Sequence, residues 1–302
     1  MEECTVGHKL GGIVVAMVTP FNEDETLDEG ALRAVVRFLV GQKVHGLFPG
    51  GSQGEFFSLD SEERRRVLEI TVDEANGEAF VVAHTGAITT REAVALTEHA
   101  ESVGADAVAA MTPFFLKPSQ DELCQYYADM AASTSLPVMA YNNPGRTGVD
   151  LPPATVARIA KQVPNFNGIK DSSGDLTQLA EYMRLCPPDF RAFIGRDSLI
   201  YGALMYGAAG AVAATANVAA PLAVGIYDAV QAGNLDLARE LQRKLAPVRM
   251  AFGLGTFPVV VKEAMGMIGL PVGPARAPVG PMSEQARIKL HEALDQAGLL
   301  EQ

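Results

Sequence analysis

Eight short runs of β-prone residues, each followed by a turn and then by a helical pattern, constrain the fold of this chain more than any other feature. The runs span residues 12–18, 44–49, 79–85, 106–112, 136–141, 166–170, 191–195 and 210–215. Several are almost wholly apolar, which is typical of parallel strands covered on both faces. This alternation predicts an α/β fold, a (β/α)8 TIM barrel, in preference to the alternative of an open doubly wound sheet.

The chain continues beyond the eighth unit with stretches of helical periodicity at residues 236–252, 258–270 and 283–300. We therefore expect a catalytic barrel over residues 1–233 and a small C-terminal helical extension over residues 234–302, packed on the barrel without a separating linker. No GxGxxG opens a helix after the first strand, and no GxxxxGK[ST] occurs. These absences argue against dinucleotide-binding and P-loop folds.

Composition and charge exclude several classes of partner. A formal net charge of −12 without a basic run argues against nucleic acid or an anionic membrane as a partner. Residues 208–227 could resemble a membrane span, but Asn217 and Pro221 interrupt them, so we expect a buried strand that runs into a helix. The N-terminus does not resemble a signal peptide. The cysteines are far apart and odd in number: Cys4, Cys124 and Cys186. We expect a cytoplasmic protein.

Four sites have the spacing of a capping box, in which a side chain caps a helix and a glutamate three residues later bonds back. The pairs are Thr26 with Glu29, Asp60 with Glu63, Thr89 with Glu92, and Ser119 with Glu122. In the helix after Asp60, the periodicity places Val67, Leu68 and Val72 on one face and points the arginines at 64–66 outward.

A lysine ends the sixth predicted strand, in the segment FNGIKDSSGD at residues 166–175. A barrel places its chemistry on the loops after the carboxyl ends of its strands. Burial lowers the pKa of an ammonium group, and a neutral amine is a nucleophile that can form a Schiff base with a carbonyl carbon. Lys170 is therefore a candidate catalytic residue. The alternative is a lysine paired with Asp171 or another carboxylate near the surface.

Tyr141 ends the fifth predicted strand, one βα unit before Lys170, so we expect the two side chains at adjacent strand ends. A phenol beside a nucleophilic amine can move protons during imine formation. The alternative is a buried tyrosine whose hydroxyl merely finds a backbone partner. His84, at the end of the third strand, has no metal partners and is interpreted as structural. No metal-binding spacing occurs, and we expect no metal.

Two further segments are candidates for binding carboxylates. GGSQGE, at residues 50–55, supplies backbone amides of a glycine-rich turn and the hydroxyl of Ser52. The alternative is a tight turn that needs glycine for backbone reasons. Arg146 follows a Pro-Gly turn, where its planar guanidinium could hold a substrate carboxylate. The alternative is a surface arginine that pairs with Asp150.

Taken together, these segments resemble the dihydrodipicolinate synthase / N-acetylneuraminate lyase family of class I aldolases. The resemblance runs from GGIVVAMVTPF to the C-terminal helices. GGSQGE resembles the pyruvate loop of the family, YNNPGRTG its tyrosine segment, GIKDSSGD its Schiff-base lysine segment, and TANVAAP a further family segment. The resemblance implies a barrel with a helical extension, a homo-oligomer (tetramer or dimer), and no cofactor.

The resemblance also implies roles for individual residues. Lys170 would attack the ketone of pyruvate, or of a longer 2-keto acid, to give an imine, and Tyr141 would relay protons. Ser52 and the amides of its loop would hold the keto-acid carboxylate. In the synthase branch, the arginine that corresponds to Arg146 helps to hold the carboxylate of the second substrate. The implied substrate-binding residues are Gly51, Ser52, Gln53, Arg146 and Val212.

Three departures from the family pattern bear on the substrate. Gln53 stands where the family loop usually has a second hydroxyl, and an amide can donate to a carboxylate but cannot pass on a proton. Phe115 stands where the synthase has a tyrosine that reaches into the neighbouring subunit, so we expect it in the pocket or at a subunit contact. Phe56, Phe57 and Phe114 replace the polar positions of the lysine feedback site of the bacterial synthases.

The substrate therefore stays open among three hypotheses. Arg146 favours a pyruvate-dependent lyase like dihydrodipicolinate synthase, although Phe115 predicts weak or absent synthase activity. The pair Ser52-Gln53 and the segment Lys170-Asp171-Ser172 favour a 4-hydroxy-2-oxoglutarate aldolase or a 2-keto-3-deoxy sugar-acid aldolase. A non-catalytic barrel that binds a keto acid is the alternative of another class.

Overall fold

The computed structural model describes residues 10–300 and is a closed barrel of eight parallel strands, as predicted, and not an open sheet. The strands are β1 (Gly12–Ala16), β2 (Gly46–Phe48), β3 (Phe80–His84), β4 (Ala107–Met111), β5 (Val138–Asn142), β6 (Phe166–Asp171), β7 (Arg191–Ile194) and β8 (Gly210–Ala213). Strands pair in chain order, and β1 pairs with β8 to close the barrel. At this closure a Cβ on Gly210 would stand 1.9 Å from the carbonyl oxygen of Gly12, so position 210 requires glycine.

Helices alternate with the strands and continue beyond the barrel. They are α1 (Glu29–Gly41), α2 (Ser61–Ala75), α3 (Thr90–Ser102), α4 (Gln120–Ala132), α5 (Pro144–Thr147), α6 (Pro153–Gln162), α7 (Leu176–Leu185), α8 (Ile200–Met205), α9 (Ala216–Gln231), α10 (Leu235–Ala251), α11 (Val259–Met267) and α12 (Glu284–Gln296). The last three form the predicted extension. The predicted boundary at residue 233 falls between α9 and α10, and the division into two domains stays a prediction.

Two apolar layers hold the barrel together. Phe48 and Phe193 belong to a cluster that fills its interior. Leu47 and Ile169 belong to a second, larger cluster that joins the strands to helix residues such as Leu32. Successive strand residues point to opposite faces, and an apolar layer covers each face. Consecutive residues of a strand are therefore apolar.

The apolar stretch at 208–227 forms β8 and most of α9, as predicted. Its residues are largely buried between the barrel and the neighbouring helices. Over residues 10–300, no helix combines the length and the apolar character that crossing a membrane requires.

The predicted helix starts are confirmed in part. The capping boxes at Asp60 and Ser119 are complete. Thr89 caps α3 with its hydroxyl, but Glu92 does not close the box, and its carboxylate accepts a hydrogen bond from Ser61 at 3.3 Å.

The box predicted at Thr26 is wrong. The helix begins at Glu29, and the carboxylate of Asp28 caps it by accepting from the backbone N–H of Ala31 at 2.8 Å. Thr26 instead donates from its hydroxyl to Asp24 at 2.6 Å. Asp28 is adjacent to the first turn, so its carboxylate reaches the free N–H groups that Thr26 cannot.

The outward direction predicted for residues 64–66 is wrong for Arg64, which is 8% exposed. Its guanidinium lies over the ring of Phe56, 5.6 Å from the centroid, and donates to the backbone oxygens of His84 and Gly86. Buried positions of this helix lie three and four residues after Arg64, so Arg64 lies on the same face. Backbone carbonyl oxygens accept hydrogen bonds from its charged side chain there.

Candidate active site

At the carboxyl ends of the strands, the barrel opens into a cavity of about 390 Å³. Six of the eight predicted site residues line this cavity: Ser52, Gln53, Tyr141, Arg146, Lys170 and Val212. They come from the ends of four strands, β2, β5, β6 and β8, and from the loops that follow these strands. Residues that are distant in the sequence thus converge where a barrel places its chemistry.

Lys170 lies beside Tyr141 in the register of β5 and β6. Its Nζ is 3.9 Å from the centroid of the Tyr141 ring and 4.3 Å from that of Phe48. The residue is only 4% exposed. Burial lowers the pKa of Lys170 below the ordinary lysine value, although Tyr141 and Asp197 act in the opposite direction. The fraction of neutral, nucleophilic amine is therefore larger than for an exposed lysine.

The alternative pairing of Lys170 with Asp171 does not occur. Because neighbouring strand residues point to opposite faces, Asp171 is directed away from the cavity. Its Oδ1 accepts from the amide of Asn142 at 3.0 Å, and its Oδ2 accepts from the hydroxyl of Ser173 at 2.7 Å. Within residues 10–300, no carboxylate forms an ion pair with Lys170.

The hydroxyl of Tyr141 is held by side chains and not by a backbone group. The amide of Asn143 donates to it at 3.1 Å, and the hydroxyl of Ser52 lies 3.2 Å away. Burial acts to raise the pKa of this phenol, but the charge of Lys170 and these two hydrogen bonds outweigh it, so the pKa of Tyr141 is lowered. The phenol is thus placed and tuned to exchange a proton close to the lysine.

Ser52 and Gln53 are presented by the loop after β2, and both are buried. The Nε2 of Gln53 has no hydrogen-bond partner within the described part of the chain. An unpaired buried amide is costly, and because Gln53 lines the cavity, an oxygen atom of a bound molecule is the natural partner. This part of the cavity is suited to a carboxylate.

Arg146 lies in the short helix α5 and stacks on the ring of Phe257, 3.9 Å from its centroid. Burial, and secondarily the like charge of Arg196, lowers its pKa. Within residues 10–300, Arg146 forms no ion pair with Asp150, whose Oδ1 instead accepts from the amide of Asn142 at 2.9 Å. Arg146 is thus directed to the cavity and available to an anion.

Nearly the whole chain matches one family of proteins. The model of the dihydrodipicolinate synthetase family matches residues 9–297. The chain belongs to this family. Its relatives include the 4-hydroxy-tetrahydrodipicolinate synthase of Methanopyrus kandleri, 38% identical over 98% of this chain and 99% of the relative. That of Desulforudis audaxviator is 40% identical over 96% of this chain and 98% of the relative.

Solved structures of the family have the same fold. Dihydrodipicolinate synthase from Thermotoga maritima has a TM-score of 0.93 and 33% identity, covering 97% of this chain and all of that one. YagE, a prophage protein from E. coli K12 in complex with pyruvate, has a TM-score of 0.93 and 32% identity, covering 96% and 99%. The family resemblance is confirmed, and the protein is an enzyme of the class I aldolase type. The non-catalytic alternative is therefore not retained.

Residues without a predicted role also line the cavity, among them Asn143, Arg196, Asp197, Arg249 and Phe257. Three of them directly follow β5 or β7, so the strand-end rule selects their segments without assigning a function. Arg249 and Phe257 come from α10 and the segment after it. No strand end marks these positions, and a local pattern could not reveal them.

Two predicted residues lie outside the cavity. Gly51 is a glycine for packing reasons, since a Cβ there would stand 2.5 Å from the ring of Phe48. Phe115 is 95% exposed, so it does not line the pocket of its own subunit, and a contact with a neighbouring subunit stays a prediction. His84 is buried, packs edge-to-face against the rings of Phe48 and Tyr141, and does not line the cavity.

The potential metal ligands and the cysteines of the described residues are dispersed. Within residues 10–300, no three His, Cys, Asp or Glu side chains are grouped to hold a metal ion. Cys124 and Cys186 are free thiols, and Cys4 lies outside the described residues. The expected independence from metals and cofactors stays a prediction.

Proposed function

We propose that the protein is a pyruvate-dependent lyase that forms an imine between Lys170 and the ketone of a 2-keto acid. The observation that carries the proposal is the buried amine of Lys170 beside the ring of Tyr141, at adjacent strand ends of the cavity. The family gives further support, since YagE, a relative of known structure, is described in complex with pyruvate.

The geometry supports the following steps. The neutral Nζ of Lys170 attacks the C2 carbon of the keto acid, and the carbonyl oxygen receives a proton by way of Tyr141. The carbinolamine then loses water as the nitrogen lone pair forms the iminium, with the proton for the leaving hydroxyl supplied from Tyr141. In the cleavage of a 4-hydroxy-2-keto acid, the iminium withdraws the electron pair of the C3–C4 bond. That bond breaks to give an enamine and an aldehyde as the Tyr141 phenolate takes the proton of the C4 hydroxyl.

The carboxylate of the keto acid is held at the loop after β2. The hydroxyl of Ser52 and the unpaired Nε2 of Gln53 both donate, and both residues are buried at the cavity. Val212 lines the same cavity as an apolar neighbour. Two donors from a fixed loop orient C2 toward Lys170, and this orientation lowers the entropic part of the barrier.

Two reactions share this imine. Two observations favour condensation of pyruvate with aspartate semialdehyde. The relatives, at 37–40% identity, are named 4-hydroxy-tetrahydrodipicolinate synthase, and Arg146 lines the cavity. Cleavage of a 4-hydroxy- or 3-deoxy-2-keto acid is favoured by Gln53, whose amide cannot pass on a proton. Release of pyruvate across a panel of 2-keto acids, compared with its consumption alongside aspartate semialdehyde, separates the two reactions.

Borohydride reduction tests the common step. With pyruvate present, reduction followed by peptide mass spectrometry should place the reduced pyruvyl group on Lys170. Lys170→Met should abolish the adduct, whereas Lys161→Met, on the exposed surface of α6, should keep it. Tyr141→Phe should form the same adduct roughly 10²–10⁴ times more slowly. Labelling of another lysine in place of Lys170 would refute the proposal.

Assembly and compartment complete the proposal. The protein is a homo-oligomer in which exposed Phe115 contacts a neighbouring subunit, supported by its 95% exposure beside the half-exposed Leu116. It is cytoplasmic, which the free thiols of Cys124 and Cys186 support.

A further inference from the structure

Three arginines from separate parts of the chain line the catalytic cavity. Arg146 lies in α5 after β5, Arg196 follows β7, and Arg249 belongs to the last turn of α10. The chain as a whole carries a formal charge of −12, so this local concentration of positive charge is not a product of composition. Among residues 10–300, Asp197 supplies the only carboxylate that lines the same cavity.

None of the three guanidinium groups is neutralised by the protein. In the part of the chain that the structure describes, none forms an ion pair with a carboxylate. Arg146 stacks on Phe257, and the Nε of Arg196 donates to the backbone oxygen of Ser172 at 2.9 Å. Both contacts orient a guanidinium group and leave other N–H groups available.

The one carboxylate in the cavity is engaged elsewhere. Asp197 is 3% exposed, its Oδ2 accepts from the backbone N–H of Thr215 at 2.8 Å, and its charge acts on Lys170. Arg146 and Arg196 also repel each other, and this repulsion contributes, after burial, to the lowered pKa of Arg146. Like charges held together in a partly desolvated wall are stabilised when an anion binds between them.

The first carboxylate of a keto acid already has its donors in Ser52 and Gln53. The family resemblance already implies that Arg146 holds a second carboxylate on the far part of the substrate, and we propose that Arg196 and Arg249 complete this site and bind the same carboxylate. This proposal rests on the proposed function and narrows it to 2-keto acids that are dicarboxylates. Arg196 and Arg249 thereby become specificity-determining residues, and substrates with neutral tails are selected against because they leave the guanidinium groups unpaired.

Calorimetry with matched ligands tests the assignment. 2-Oxoglutarate and 2-oxopentanoate differ by a carboxylate in place of a methyl group, and 2-oxoadipate and 2-oxohexanoate form a second pair with a longer chain. In the intact protein, at least one dicarboxylate should bind tenfold or more tightly than the monocarboxylate of its pair, so that the ratio of the two Kd values is ten or more. The variant Arg196→Gln/Arg249→Gln should reduce that ratio below threefold. Arg243→Gln, on the exposed surface of α10, is the control and should keep it.

The two proposals fail in different experiments. A ratio below tenfold for both ligand pairs in the wild type, or a ratio of tenfold or more in the double variant, overturns the assignment of the arginines. Loss of the ratio in Arg243→Gln also overturns it, since a general change of charge would then suffice. Failure to trap pyruvate on Lys170 overturns the proposed imine. The ratio of affinities measured by calorimetry would still be valid, because binding through the distal carboxylate does not require the covalent bond.

Discussion

A buried ion pair joins the loop after β2 to the C-terminal extension. The Nζ of Lys262, in α11, lies 2.6 Å from the Oε1 of Glu55, and their side chains are 1% and 0% exposed. The Nζ also donates to the backbone oxygen of Pro274 at 2.7 Å, and the Oε2 of Glu55 accepts from the backbone N–H of Arg276 at 3.1 Å. Glu55 follows Gln53 by two residues, so the extension fixes the loop through this pair.

Replacement of Lys262 by Met keeps most of the side-chain volume and removes the charge. The carboxylate of Glu55 is then buried without a cation, which costs about 3–5 kcal/mol of the free energy of unfolding. For a chain of 302 residues a loss of this magnitude lowers Tm by roughly 5–8 °C. Glu55→Gln in the same molecule removes the unpaired charge, so the double variant should recover at least about 1 kcal/mol relative to Lys262→Met.

Urea unfolding of the intact protein at neutral pH, followed by circular dichroism, measures these differences. Lys289→Met, on the exposed surface of α12, is the matched control and should change the free energy of unfolding by no more than about 0.5 kcal/mol. If Lys262→Met costs less than about 1 kcal/mol, or if Glu55→Gln brings no recovery, the pair does not hold the loop in the way the structure indicates.

Two other outcomes are expected. The rate of pyruvate trapping on Lys170 should reach half its maximum below pH 10.5, the ordinary lysine value, because burial lowers the pKa of this group and leaves more neutral amine at lower pH. A midpoint at or above that of a free lysine side chain would contradict this. Phe115→Glu should shift the protein to a smaller species in sedimentation velocity, because the exposed ring is the proposed subunit contact. Ile288→Glu, a similar change at an exposed position of α12, should leave the species as it is.

The barrel could be predicted from the sequence because its signals are local. Each strand is a short apolar run, and each run is followed by a turn and a helix, so eight units could be counted along the chain. Lys170 and Tyr141 could be placed together by the same logic, since consecutive strands of a barrel are neighbours in space. The register of β5 and β6 confirms that placement.

The features that the sequence did not reveal depend on contacts that a local pattern does not contain. Arg64 has the spacing of a buried position in its helix, but its charge suggested solvent. Its contacts with the carbonyl oxygens of His84 and Gly86, and with the carboxylate of Glu92 at 3.9 Å, are visible only in the structure. Gly51 belongs to a loop suited to carboxylates, yet the ring of Phe48 determines its identity. Arg249 reaches the cavity only because the extension folds back over the barrel.

With Arg249 assigned to the distal carboxylate as proposed above, the C-terminal extension would contribute to selectivity as well as to stability. Arg249 and Phe257 form part of the cavity wall, and Lys262 holds the loop that carries Ser52 and Gln53. The strand ends supply the amine and the phenol that every reaction of an imine-forming lyase requires. A substitution in the extension can alter the charge and shape of the cavity wall that faces the far part of the substrate, while the amine and the phenol stay in place. For this reason, substitutions at Arg249 should act on the choice of keto acid, and substitutions at Lys170 on all keto acids alike.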